Sequence, residues 1–564
     1  MYKIKYALLG MAAAVFAGCA DLNYNEASNR DEDWTYNSPI NGVKALVYDV
    51  YAQMPSEFKD NSYGNGALIA SATDESEFAL SFSPIHNYFN GGWTPSNPFS
   101  TTWSRSYRAI TQVHMYLERI HKIDLSDYEY DPDYQTMVQQ FEIFPYELRF
   151  LRAYFYFELV RAYGDVPLVT TTLTNEQANS VERTPAKDVF KFIVNELDAV
   201  AEYLPVSYND IPGQEIGRAT RGAALALKAR VLLYQASPLF NTDNNKELWK
   251  EAAAAAKVII DNAQRWGYKL SEYAGLWGHD TFTNPEFIFV LGTQASNSFE
   301  QYNYPVGVEN GNSGNCPTQA LVDAYEYQSD GKTFKEKHPG DVNVTAENPY
   351  EGLDPRFGLT VVKNGDLWPS NATQQISIET YHGGYNGAPK YGATPTGYYL
   401  KKFVDGNCVT TANNQTTTRH NWIVMRLAEV YLNYAEAMYN YYGDADAKGD
   451  FGMSANEAVN VLRNRPDIMM PEFHGNDGFE ERYMRERMVE LAFEGQRFWD
   501  VRRWKKGAEF FKNIDEADFK LDANGDLILN RVTKARKWDE KYNLYPIPQS
   551  EIQKNGNLTQ NPNW

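Results

Sequence analysis

Glu147-Leu-Arg-Phe-Leu-Arg-Ala-Tyr-Phe-Tyr-Phe-Glu-Leu-Val-Arg-Ala-Tyr163 sets the pattern from which the fold is read. Leu148, Leu151, Phe155 and Leu159 recur at spacings of three and four, which gathers them on one face of an α-helix. Gly164 and then Pro167 end it, because glycine accepts the left-handed C-cap and proline cannot continue the ladder. Charged residues share this apolar stretch, and a charge in such surroundings has to find a partner. Glu147, Arg149 and Arg152, with Arg426, Glu429, Glu490, Glu494 and Arg497 on similar helical stretches further on, are therefore expected to form structural ion pairs and helix caps.

Outward from this helix the pattern repeats. Thr220 to Gln235 carries Leu225, Ala229, Leu232 and Ala236 as one stripe, with Ala223 and Ala226 allowing a neighbour to approach closely. Trp249 to Asn262 reads as its antiparallel partner. Near the C-terminus come Trp422 to Met438, Asn456 to Arg465 and Glu480 to Trp504, with Pro466 as a breaker. Helices in consecutive pairs with alanine at the contacts predict tetratricopeptide-like packing. Between them lie loops rich in Gly, Asn, Tyr and Trp, at 61–102 and 266–420, and segments this long carry function or small strands of their own. The binding surface is expected there.

The amino terminus has a different logic. In Ala-Leu-Leu-Gly-Met-Ala-Ala-Ala-Val-Phe-Ala-Gly-Cys-Ala-Asp-Leu-Asn, residues 7–23, an apolar run too short to cross a bilayer follows Lys3 and Lys5, ends in Ala17 and Gly18, and is closed by Cys19. Phe16-Ala17-Gly18-Cys19 resembles the lipobox of bacterial lipoproteins, in which the cysteine becomes the acylated first residue, although Phe16 stands where leucine is usual. Two or three acyl chains hold a protein on a membrane without a spanning helix.

Composition narrows the partners. The 564 residues include 53 Lys and Arg against 73 Asp and Glu, a formal charge of -20, which argues against nucleic acid, because phosphate backbones need a positive surface. Cys316 and Cys408 could pair at most once, so the chain is no disulfide scaffold. Aromatic residues make up 14% of the chain, with 40 tyrosines, a side chain that suits wet binding surfaces as well as cores.

Several motifs in order resemble one family. The helix at 147–163 followed by Gly-Asp-Val-Pro-Leu, then Asp354-Pro-Arg-Phe, Gly397-Tyr-Tyr, Arg426-Leu-Ala-Glu-Val-Tyr-Leu-Asn-Tyr-Ala-Glu-Ala, Arg485-Glu-Arg-Met-Val-Glu-Leu-Ala-Phe-Glu-Gly-Gln-Arg-Phe-Trp-Asp-Val-Arg-Arg-Trp, Tyr545-Pro-Ile-Pro and Gln560-Asn-Pro-Asn-Trp look like the SusD/RagB nutrient-binding outer-membrane lipoproteins. Val113-His114 and Arg465-Pro466-Asp467 depart locally from that pattern. The resemblance implies a mainly α fold, tetratricopeptide-like helices under a loop-rich ligand face with a few short strands. It divides the chain into a signal peptide at 1–18, a lipidated tether at 19–40, an N-terminal helical part at 41–265, a loop-rich insertion at 266–420 and a C-terminal helical part at 421–564. It also implies capture of an oligosaccharide at the cell surface for a SusC-like TonB-dependent transporter.

A glycan site needs flat apolar faces for sugar C–H groups and short polar groups for hydroxyls. His86-Asn-Tyr-Phe-Asn-Gly-Gly-Trp-Thr-Pro-Ser-Asn97 supplies both, so Trp93, Tyr88, Asn97 and His86 are expected to contact ligand, while Trp103 and Tyr107 read as core. Tyr302 and Tyr304 beside Gly307, Trp368, and Tyr381 with Tyr385 are the mid-chain candidates. Asp74, Glu75 and Glu77 form a carboxylate cluster of the kind glycoside hydrolysis uses, but no His-Glu-x-x-His, Gly-x-Ser-x-Gly or phosphate loop is present, and no enzymatic activity is expected. No cofactor is expected either. Asp323 to Asp330 offers oxygen ligands for a structural calcium without the ordered spacing of a known loop. A peptide-binding protein of the same architecture and a periplasm-facing helical scaffold are the alternative functions.

Overall fold

The longest helix starts well before the stretch that announces it. In the computed structural model, which describes residues 42–58, 66–208, 217–278, 282–368, 375–411 and 414–564, α3 runs Tyr134–Tyr163, after α1 (Lys44–Ala52) and α2 (Thr102–Arg119). Pro145 lies inside it and has no amide hydrogen to give. Phe141 and Phe144 before it, and Leu148 and Leu151 after it, are all buried, so packing holds the two halves in line. The expected signal peptide and tether, Cys19 included, lie outside the described residues.

The other long helices are α4 (Ala186–Ala201), α5 (Arg221–Ala236), α6 (Lys246–Asn262), α7 (Leu427–Tyr442), α8 (Ala455–Arg463), α9 (Phe479–Glu490) and α10 (Gln496–Arg503). Each of α2 to α7 packs on the next in chain order. The α5–α6 contact is closest where small side chains meet: Ala223, Ala226 and Ala229 on one helix, Ala252, Ala253 and Ala256 on the other, are buried. Thr220 caps α5 by accepting the Ala223 amide at 3.1 Å. The architecture is mainly helical, as expected, with short strands.

One expected helix is two. The segment from Glu480 to Trp504 breaks between Glu490 and Gln496, where Phe493 and Gly495 take positive φ angles of 61° and 75°. Gly495 fits because a Cβ there would come within 2.9 Å of the Glu57 carboxylate. The break turns Glu494 toward Arg426 alongside Glu490.

Strand β1 (Ser76–Phe78) pairs with β3 (Asn315–Pro317), and β2 (Phe287–Gly292) pairs antiparallel with β4 (Asn421–Arg426), which leads directly into α7. Near the C-terminus β5 (Asn513–Leu521) and β6 (Leu527–Ala535) form a hairpin in continuous register, extended by Val342–Asn343. The helical stack is thus interrupted after α6 and resumes at α7, and the excursion between them is closed off by β2 and β4.

Buried ion pairs tie the excursion to the stack. Arg426, 1% exposed, donates from Nη1 to Glu286 and Glu490, each at 2.7 Å, and from Nε to Glu494 at 2.8 Å. Arg465 reaches Glu490 at 2.6 Å and Glu286 at 2.9 Å, and Arg356 joins Asp354, Glu486 and Glu490. Three guanidinium groups around Glu490 hold its carboxyl far below the usual range, against the burial that would raise it. Elsewhere Arg218 pairs with Glu147, Arg149 and Arg152 with Glu196, Arg230 with Glu429, and Arg497 with Asp74. The charged residues singled out from the sequence are structural ion pairs, as their apolar surroundings require.

Candidate functional site

Trp93 and Tyr88 do not face solvent. Each is 2% exposed, and they belong to an aromatic cluster that closes the C-terminus onto the helices. The Trp93 ring lies 4.8 Å from Tyr88, 4.8 Å from Tyr545 and 5.1 Å from Trp564, and the Tyr88 hydroxyl shares a hydrogen bond with that of Tyr545 at 3.1 Å. The expectation that they stack on ligand is overturned: the terminal Tyr-Pro-Ile-Pro and Asn-Pro-Asn-Trp segments fold back and cover both rings. Asn97 is exposed, but its amide donates to the Gly92 carbonyl at 3.0 Å and holds its own turn. His86 is half-buried beside Phe89, and burial lowers its pKa.

The mid-chain aromatics separate into a floor and a surface. Tyr304 and Trp368, 2% and 3% exposed, pack ring to ring at 5.4 Å in a small core with Cys316, Val362, Ile378 and Tyr399, so these two candidates are core residues and not the exposed rings expected from the sequence. The Tyr304 hydroxyl is spent on the Cys408 carbonyl at 2.7 Å. Tyr302 and Tyr381 are half-buried; Tyr381 packs against a neighbouring core that includes Tyr398 and Phe519, and Tyr302 lies so close to Gly66 that a Cβ there would meet its ring.

Above the floor the loop Tyr381-His-Gly-Gly-Tyr-Asn-Gly-Ala-Pro-Lys-Tyr391 is pinned by Asn386, which is fully buried. Its side chain donates to the Val306 carbonyl at 2.7 Å and accepts from the Glu379 amide at 3.0 Å, while its carbonyl accepts from the Tyr399 hydroxyl. Gly384 and Gly387 allow the tight fold, since a Cβ on either would strike the backbone of residues 379–381. The loop therefore holds Tyr385 at 55% exposure and Tyr391 at 80%. Lys390 lies 4.0 Å over the Tyr385 ring and donates to the Tyr385 carbonyl at 2.6 Å, and Gly307 backs the same ring. Beside it, Gly392 faces Leu80, two residues before Phe82, which is 63% exposed. Three exposed rings thus stand on segments in mutual contact, an aromatic ledge with amide, hydroxyl and ammonium groups around it. Tyr391, Phe82 and Asn386 were not singled out from the sequence; the glycines bracketing Tyr391 were the available signal.

The carboxylate cluster is turned inward. Asp74 is bidentate with Arg497 at 2.9 and 2.7 Å, Glu77 pairs with Lys534 and, at 3.1 Å, with Arg536, and Glu75 is 1% exposed with its pKa raised by burial. Glu516, beside Glu77, is pushed up to about 8 by burial and by that neighbouring charge. At the stretch considered for calcium, Asp323 takes the Arg531 guanidinium at 2.7 and 2.8 Å and Asp330 lies 3.2 Å from Lys337; among the described residues no His, Cys, Asp and Glu side chains converge as a metal would require.

Residues 285–564 match the family model described as the SusD family, and residues 24–233 match a second, described as starch-binding associating with outer membrane. The chain belongs to the SusD/RagB family. A SusD-like protein of Formosa agariphila is 25% identical over 73% of this chain and 72% of its own length. The crystal structure of a SusD-like protein from Bacteroides fragilis superimposes with a TM-score of 0.76 at 27% identity, covering 95% of this chain and 98% of that one. A second B. fragilis structure, described as a SusD-like carbohydrate-binding protein, has a TM-score of 0.73 at 24% identity, over 93% and 100% of the two chains. The SusD/RagB fold thus spans the helical stack and the excursion together.

Proposed function

We propose that the protein binds an oligosaccharide at the cell surface, as an outer-membrane lipoprotein anchored through Cys19, and delivers it to a SusC-like TonB-dependent transporter without chemical change. The observation that carries this reading is the ledge of Tyr385, Tyr391 and Phe82, open to solvent, with the two tyrosines on a loop pinned by a buried asparagine. Exposed rings over a fixed backbone suit the C–H faces of sugars, and a pre-formed site loses little ordering entropy on binding. The starch-binding and outer-membrane description of the amino-terminal family match supports the reading, and so does the carbohydrate-binding description of one structural relative. The order of basic head, apolar body and cysteine supports the lipid anchor.

The test is a binding screen of neutral and acidic oligosaccharides alongside peptides, repeated with Tyr385→Ala and Tyr391→Ala. Loss of either ring is expected to weaken the cognate glycan by about 1 to 3 kcal/mol, with an unchanged thermal midpoint. Binding of peptides alone, or full glycan affinity in both variants, would overturn the proposal.

A further inference from the structure

Two carboxyl groups meet in the interior where β1 packs against the β5–β6 hairpin. Glu77 on β1 and Glu516 on β5 are 4% and 6% exposed. Glu77 takes the cations: Lys534 donates to it, and Arg536 reaches it at 3.1 Å while also donating to the Thr73 and Ser76 carbonyls. Glu516 is left with Lys534 at 3.9 Å, beyond hydrogen-bond reach, and among the described residues its Oε1 accepts no hydrogen bond. A second ionised carboxylate here would be buried without a donor, so the pair retains one proton, carried by Glu516 and hydrogen-bonded to Glu77. Burial and the Glu77 charge push Glu516 up to about 8, whereas Arg536 and Lys534 hold Glu77 low against its own burial. The other titratable groups facing the pair are His86, in the turn after β1, and the Cys316 thiol on β3. Burial lowers the first and raises the second, so neither is charged at neutral pH.

Both strands are tied to the aromatic ledge. Past Glu77 the chain runs through Ala79, whose amide donates to the Gly314 carbonyl at 2.8 Å, to Leu80 against Gly392, and on to Phe82. Past Glu516, the Ala517 amide donates to the Thr396 carbonyl at 3.2 Å and the Phe519 carbonyl accepts from the His382 amide at 2.7 Å. Gly397 lies so close that a Cβ there would strike the Ala517 carbonyl and the Phe519 ring. β5 thus holds both ends of the stretch 382–396 that carries Tyr385 and Tyr391, and β1 leads to the third ring.

We propose that the proton shared by Glu77 and Glu516 is a clasp that keeps the aromatic ledge closed on β1 and β5, and that its loss to solvent loosens the stretch 382–396. Without that proton two carboxylates face each other in a poorly solvated interior, and their repulsion falls on the contact between the two strands. The folded pKa of Glu516, about 8, lies above its ordinary carboxylate value. The hold is therefore full below the ordinary carboxylate range, weakens as pH rises, and changes no further above about 8. Weaker glycan binding over the same range follows only on the function proposed above; the clasp itself is a property of the unliganded chain.

The test is hydrogen exchange on the full mature chain made soluble by Cys19→Ala, without ligand, from about pH 5.5 to 9, with each rate expressed as protection relative to the unfolded chain at the same pH. In the parent, protection at 382–396 is expected to fall at least about tenfold between about pH 5.5 and 7.5, at no more than about tenfold per unit, and to level off above about 8. Glu516→Gln keeps a donor to Glu77 at every pH and is expected to remove that fall. His86 is common to both proteins, so its own titration cancels in the comparison. Lys534→Gln takes away the ammonium that lowers Glu516 and is expected to move the levelling-off to higher pH; the Lys534 side chain is 42% exposed, so its loss spares the core. Circular dichroism checks that both variants fold. The same pH dependence at 382–396 in the parent and in Glu516→Gln overturns the clasp, and so does a levelling-off that Lys534→Gln leaves in place. Failure of the glycan reading would leave these exchange results unchanged, so the two are told apart.

Discussion

Replacing Asn386 with alanine removes the pin of the aromatic ledge without touching an exposed ring. Two side-chain hydrogen bonds disappear, to the Val306 carbonyl and from the Glu379 amide, and both partners sit in half-buried surroundings. Each lost bond costs about 1 kcal/mol if water takes the freed backbone group and about 2 kcal/mol if the group is left stranded. The sum, about 2 to 4 kcal/mol, falls on a loop and not on the helical stack, so local opening is expected ahead of global unfolding. Hydrogen exchange followed by mass spectrometry should show the 379–391 segment losing protection by about 30-fold to several hundredfold, while α5, α6 and α7 keep theirs. Glycan affinity should fall with it, because the rings must then be ordered at the moment of binding. Unchanged exchange at 379–391 would refute the pinning argument, whatever happened to affinity.

Other substitutions separate scaffold from site. Trp93→Ala should lower unfolding free energy by about 3 to 5 kcal/mol in urea titration while leaving glycan affinity intact; a stable protein with weakened binding would return Trp93 to the ligand face. Arg426→Ala leaves Glu494 with Lys402 as its remaining cation and takes one guanidinium each from Glu286 and Glu490 in the interior, and should cost about 3 to 5 kcal/mol by the same measurement, with a loss below about 1 kcal/mol counting against a network that holds the excursion. Glu516→Gln should flatten the stability profile between about pH 5 and 8. Burial and Glu77 raise the folded pKa of Glu516 to about 8, above its unfolded value, so its contribution is full below the unfolded carboxylate range and is lost as pH rises through about 8. The slope is at most about 1.4 kcal/mol per pH unit, and identical denaturation profiles from pH 5 to 9 in parent and variant would contradict it.

The helices were legible in the sequence because their signals are local. Leu148, Leu151, Phe155 and Leu159 lie within one turn or two of each other, and the apolar density around Glu147 and Arg426 already required ion pairs. The break after Glu490 was not legible, since the arrangement it serves, Glu490 and Glu494 both bonded to Arg426, joins residues that meet only in the folded chain. The ligand face failed for a related reason. Trp93 sits in a Gly-Gly-Trp-Thr-Pro loop that reads as a wet surface, and what buries it is a segment more than 400 residues later, Tyr542 to Trp564. Tyr385 is exposed, as the glycines around it signal for a loop tip, whereas Tyr304 and Trp368 stand in loops of similar composition and are buried. Composition identifies a loop but cannot tell its top from its floor.

The pairing of β2 with β4 bears on how such a protein changes over time. β2 follows α6 in the chain and β4 leads into α7 of the same stack, so residues 293–420 form a loop whose two ends are already joined. The entropy of closing a chain segment grows only with the logarithm of its length, about 0.6 kcal/mol for each doubling. Arg356 and the strands at 315–317 and 342–343 anchor parts of the excursion to the scaffold, but the stretches between those anchors can lengthen or shorten at little cost to it. Such stretches, the Tyr381–Tyr391 loop among them, can change which rings they present while the helices keep their sequence.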